Sequence, residues 1–170
     1  MKRIELHTFI NAPAERCFLL SLSVDLHLMH GKNENERVAE GRTSGILREG
    51  ETITWEAKHF GFRRRLTAMV SGFTFPQSFF SRQLKGPFKK LEHIHLFEST
   101  SVGTMMTDIF EFEAPLGILG KLAEELFLEK HMRRYLEKRN ATLRKIAESN
   151  LWINYLKTED HEALLDSQMA

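Results

Sequence analysis

The chain has 170 residues, 42% of them apolar and 28% charged, with a formal net charge of +1. That balance excludes a disordered chain, and it lacks the basic excess or concentrated basic face of phosphate recognition, so no nucleic-acid partner is expected. One domain of this length buries roughly 70% of its unfolded surface and needs no staple, and the single cysteine, Cys17, allows no internal disulfide and suits a reducing compartment.

The first strand comes from Arg3 to Asn11, where Ile4, Leu6 and Ile10 alternate with Glu5 and His7. Lys2, Arg3 and Glu5 charge this terminus where a secretory signal would be apolar, and no stretch approaches the roughly 20 apolar residues of a membrane span. A cytoplasmic protein without a membrane span is therefore expected. Asn11 as a cap, Pro13 and Glu15 open a helix, and Cys17, Phe18, Leu20, Leu22 and the run from Val24 to Met29 predict two short helices broken near Ser23. Lys32 to Arg37 reads as a polar loop.

From Val38 to Ala114 turn residues separate strand-like runs at short intervals, which predicts an antiparallel meander of six strands. Thr52 to Phe60 is the clearest, with Ile53, Trp55, Ala57 and His59 on one face and Thr52, Thr54, Glu56 and Lys58 on the other. Leu66 to Phe75, Ser78 to Lys85, Leu91 to Glu98 and Thr104 to Glu113 follow, joined through Pro76, Gly86-Pro87 and Ser99 to Gly103. After Pro115 the chain is helical to about Ser149: a short helix carries Leu119, Leu122, Ala123 and Leu126, and after a break near Phe127 a long one carries Leu128, Met132, Tyr135, Leu136, Leu143 and Ile146. Residues 1–149 make the domain and 150–170 an extension. Leu151, Trp152, Ile153, Tyr155 and Leu156 are too apolar for water, so the extension docks on the domain or on a second subunit as a homodimer.

One strand, two short helices, six strands and a long C-terminal helix form an α+β plan: a curved seven-stranded antiparallel sheet wrapped around that helix, the helix-grip fold. The segments Phe79 to Phe88, His93 to Glu98 and Gly103 to Asp108 resemble a bacterial branch, related to polyketide cyclase-like proteins, of the SRPBCC ligand-binding superfamily. That superfamily also holds START lipid-transfer domains and birch-pollen-allergen proteins. In the branch an acidic residue is often found at Ser81 and a tryptophan at Leu91, so this chain departs from the pattern at both. The resemblance implies a hydrophobic cavity between sheet and helix but no single activity, because one fold hosts many functions.

Alternation turns Trp55, Ala57 and His59 inward on one strand and Leu91, His93, His95 and Phe97 on another, with Met106, Asp108, Phe110 and Phe112 on the last. Phe79 and Gln83, from the segment between, join all of these except Phe112 in the candidate ligand-binding set. Apolar walls with a few polar groups are the anatomy of a small-molecule site, and equally of a filled core. His93 and His95 project to one side, within reach of Asp108. They fit a histidine satisfied by a core carboxylate, a cluster that orients a ligand, or a metal or acid–base site. No HExxH, CxxC or glycine-rich phosphate loop supports a metal or nucleotide, and no cofactor is expected. Arg63, Arg64 and Arg65 fit a solvated hairpin, and Cys17 fits a small core residue. The function expected is binding of a small, mostly apolar molecule, and the alternative is a cyclase- or dehydratase-type enzyme using His93, His95 or Asp108 as acid or base.

Overall fold

The computed structural model describes residues 1–30, 35–59, 62–114, 127–157 and 160. Seven strands run through them: β1 (Lys2–Ile10), β2 (Arg37–Glu40), β3 (Thr52–His59), β4 (Phe62–Thr74), β5 (Ser78–Lys85), β6 (Lys90–Thr100) and β7 (Gly103–Glu113). The helices are α1 (Ala14–Leu22), α2 (Val24–His30) and α3 (Glu129–Ala147), followed by a 3-10 turn, Asn150–Asn154. The short helix expected over Leu119 to Leu126 lies outside the described residues. No described helix is long and apolar enough to cross a membrane.

The sheet is antiparallel throughout, in the order β1-β7-β6-β5-β4-β3-β2. The first two strands in sequence are thus its opposite edges, and α1 and α2 carry the chain from one to the other. This is the helix-grip architecture. Burial along β7 alternates without a break, so even positions from Thr104 to Phe112 face inward, where α3 lies. Curvature is helped by irregular pairing between β4 and β5. There Gly72 adopts φ +67°, and a Cβ on it would fall 2.0 Å from the Phe80 ring, so a larger residue would strain the backbone and displace that ring.

One expected detail is corrected. Asn11 does not cap α1, because Pro13 occupies the cap position and the first helical turn starts beyond the reach of Asn11. The Asn11 N–H instead donates to Glu148 Oε1 at 2.9 Å, which ties the end of β1 to the end of α3. The break between the short helices falls at Ser23, whose Oγ accepts from the Leu26 N–H.

Two apolar clusters lie between sheet and helices. The larger joins α1 and α2 to Ile53, Val70, Phe79, Phe97 and Met106 of the sheet and to Leu143 and Ile146 of α3. Phe18 is its centre, with the rings of Phe73, Phe75, Phe79 and Phe97 at 5.1–5.6 Å. The smaller groups Ile4, Leu91, Phe110 and Phe112 with Leu136. Trp152, Tyr155 and Leu156 pack on the larger cluster, and Arg16 lies 4.4 Å over the Trp152 ring. Leu151 and Ile153, expected to dock with them, face solvent.

Candidate functional site

Beside the smaller cluster the interior is hollow. A cavity of about 320 Å³ lies between the concave sheet and the first half of α3, within the ~300–1,000 Å³ range of ligand pockets. Its origin can be read along single strands. On β3 the inward residue changes from Ile53 in the packed region to Ala57 at the cavity, on β4 from Val70 to Ala68, and on β5 from Phe79 to Ser81. Three small side chains on neighbouring strands leave a floor too low to meet the helix. Leu66, Leu91 and Phe110 on the sheet and Leu128, Met132 and Leu136 toward the helix make the apolar walls.

One end of the cavity is polar. His93 and Arg139 line it, and behind them the side chain of Asp108 is fully buried. His93 Nε2 lies 2.8 Å from Asp108 Oδ1. An ionised carboxylate only accepts, so this histidine carries its proton on Nε2 and donates. His95 Nδ1 reaches the same oxygen at 2.8 Å, but off the direction a hydrogen bond requires. Asn140 Nδ2 donates to Oδ2 at 2.7 Å and also reaches Thr8 Oγ1 on β1 at 3.2 Å, and Arg139 Nη1 donates to Oδ1 at 3.3 Å.

Burial opposes the charge on Asp108, but the close approach of His93 and His95 outweighs it and holds the carboxyl well below its ordinary range. Burial pushes both histidines the other way, His93 downward and His95 down to about 3. At neutral pH the cluster is therefore an Asp108–Arg139 ion pair with two neutral imidazoles. Ligand atoms of His93, His95 and Asp108 lie within 4.8 Å of one another, the spacing of a metal site. The Arg139 guanidinium beside the same carboxylate oxygen would repel a cation there.

A second polar group faces the cavity from α2, the chain before β2 and α3. His27 stacks on Trp55 at 3.9 Å, its Nε2 is 3.2 Å from Glu36 Oε1, and the Tyr135 hydroxyl donates to Glu36 Oε2 at 3.3 Å. The arginine run divides by strand alternation. Arg63 and Arg65 turn to the convex face and, with Arg37, bond Glu56 at 2.7–3.0 Å. Those bonds, Arg65 first, hold its carboxyl down at about 2. Arg64 turns to the cavity.

Of the residues singled out in the sequence, Trp55, Ala57, Leu91, His93 and Phe110 line the cavity. Asp108 and His95 stand behind that lining, the latter stacked on Phe79 at 4.4 Å. Phe79, Phe97 and Met106 belong to the packed cluster. Gln83 bonds the Phe88 carbonyl at 2.7 Å and shapes the turn before β6. The side chain of His59 lies outside the described residues. Cys17 is buried, with its thiol pushed up to about 11 by burial, an inert core group. The sequence reading missed Arg139, Asn140, Glu36 and Tyr135. A signal for the first two was present: the inward stripe of α3 runs through Met132, Leu136, Leu143 and Ile146, and its one polar turn holds Arg139 and Asn140.

Neither a family model nor a curated protein matches the chain. Solved structures do match its fold. A protein of Thermus thermophilus superposes with a TM-score of 0.69 at 19% identity, covering 85% of this chain and 95% of that one. Major latex-like protein 151 of Panax ginseng gives 0.62 at 12%, covering 87% and 98%, and the protein Ara h 8.0201 gives 0.54 at 12%, covering 84% and 97%. At such identities the likeness is one of fold, and the fold is the helix-grip.

Proposed function

We propose that this protein binds a small, mostly apolar molecule in the cavity between sheet and helix. The observation that carries the reading is the hollow itself. Protein interiors are close-packed, and atoms lining an empty space forfeit dispersion contacts, yet here Ala57, Ala68 and Ser81 all face the cavity with side chains too small to fill it. A ligand with apolar surface would restore those contacts, and the polar groups at either end would orient it. The fold shared with Ara h 8.0201 and a ginseng latex-like protein is consistent with the reading.

The test combines native mass spectrometry of the gently purified protein with titration of a dye that fluoresces in apolar surroundings. A bound small molecule, or dye uptake that Ala68→Leu removes, is expected. No adduct together with dye uptake indifferent to Ala68→Leu would overturn the reading.

One observation favours acid–base chemistry as a second reading: His93 borders the cavity and is oriented by Asp108. A proton-transfer role would leave ligand affinity intact in His93→Gln while abolishing product, whereas an orienting role would weaken binding.

A further inference from the structure

The buried ion pair is not symmetric with respect to the cavity. Asp108 has no exposed surface and does not line it, whereas Arg139 does, although it is about nine-tenths buried. The cavity therefore meets the positive side of the pair. Both carboxylate oxygens of Asp108 are already engaged by His93, His95, Asn140 and Arg139. The arginine is engaged on one nitrogen only: Nη1 donates to Asp108 at 3.3 Å and to Asn140 Oδ1 at 3.4 Å. Nε–H and the Nη2 donors have no hydrogen-bond acceptor among the described residues. A guanidinium this shielded from bulk water gains from an acceptor that an occupant of the cavity supplies. The Nε–Nη2 edge presents two parallel N–H groups, the fork that matches the two oxygens of a carboxylate.

We propose that the free Nε–Nη2 edge of Arg139 anchors a carboxylate carried by the apolar ligand, so that the ligand class is a small apolar acid. The inference rests on the cavity-binding reading and specifies its polar end. The acid lies with its carboxylate at Arg139 and its apolar body over Ala57, Ala68 and Leu91. Arg139 keeps Nη1 on Asp108 and gives both N–H groups of its Nε–Nη2 fork to the ligand, and Asp108 keeps the guanidinium in place.

Matched pairs that differ only at the polar end provide the test: decanoate against 1-decanol, and 2-naphthylacetate against 2-(2-naphthyl)ethanol, each competing with the apolar dye. The wild-type protein is expected to bind the acid of a pair about tenfold to a hundredfold more tightly than the alcohol, the range of a charge-assisted hydrogen bond. Arg139→Lys keeps the positive charge beside Asp108 but loses the fork, and should lose most of that preference. Because Arg139→Gln would strand the Asp108 charge, the second variant is the neutral pair Asp108→Asn with Arg139→Gln, which should bind acid and alcohol alike. Equal affinity of the wild-type for acid and alcohol, or an acid preference that survives in both variants, overturns the carboxylate anchor and leaves the cavity reading standing. Failure of the wild-type to bind either member of both pairs, with no dye uptake, overturns the cavity reading along with it.

Discussion

The packed and hollow regions are built from the same strands and the same helix. In the packed region Ile53, Val70, Phe79 and Phe97 meet Leu143 and Ile146, and Phe18 from α1 fills what remains. In the hollow region the same strands present Ala57, Ala68, Ser81 and His93, and α3 presents Met132, Tyr135 and Leu136. Between them lies Asp108, bonded to His93 of β6 and to Arg139 and Asn140 of α3. One region fills its volume with side chains and the other leaves it open. The polar cluster divides them because each of its members needs a partner from another element, which fixes the helix against the sheet without filling the space beside it.

Truncations should separate the two regions most strongly. Phe18→Ala removes a ring that touches four others and should lower unfolding free energy by about 3–5 kcal/mol in urea melts. Met132→Ala, beside existing empty space, should cost less than the ~2–5 kcal/mol of a packed site while weakening dye binding several-fold. Equal losses in stability would erase the distinction.

At the boundary, Asp108→Ala strands Arg139 and should cost about 3–5 kcal/mol. Asp108→Asn with Arg139→Gln removes both charges and should recover most of that loss. A double variant as unstable as the single one would show that the pair matters by shape and hydrogen bonding, not by charge.

Acidification sharpens the same boundary. His93 and His95 have folded pKa values below the ordinary ~6.5, so the unfolded chain takes up their protons first. Their stabilising contribution is complete above about pH 6.5 and declines as pH falls through the window toward about 3, where His95 itself is protonated. The slope approaches about 1.4 kcal/mol per pH unit for each histidine. Asp108, depressed as well, adds its own loss only below its ordinary value near pH ~4. Urea melts at pH 7.5, 6 and 5 should show the decline, and His95→Gln should flatten it. A wild-type protein equally stable at pH 7.5 and 5 would contradict neutral buried imidazoles.

Enlargements give the smallest effects and the most direct contrast. Ala147→Leu, at a fully buried site of α3 in the packed cluster, should destabilise by about 1–3 kcal/mol through overpacking. Ala68→Leu points into the cavity and should change stability by less than about 1 kcal/mol, because the added carbons enter space already empty. If Ala68→Leu proved the more damaging, the cavity would not be free volume.

Period-two alternation in Thr52 to His59 and from Thr104 to Glu113, glycine and proline at the turns, and the helical stripe ending at Ile146 were sufficient for the strand count, the antiparallel sheet and the placement of α3. These are local signals, set by which face of each element must leave water. They also placed Trp55, His93, Asp108 and Phe110 on the concave side. Whether that side was full or empty could not follow from alternation, because Phe79 and Ser81 obey the same period and differ only in what stands across from them. The partners of Asp108 depend on α3 crossing β7 at Arg139 and Asn140, 31 and 32 residues later in the chain. That Arg63 and Arg65 share Glu56 with Arg37 depends on three strands meeting side by side. Period and propensity act over a few residues and so are written in the sequence one element at a time, whereas a cavity and a buried charge pair are properties of the distance between elements, which only the packed chain sets.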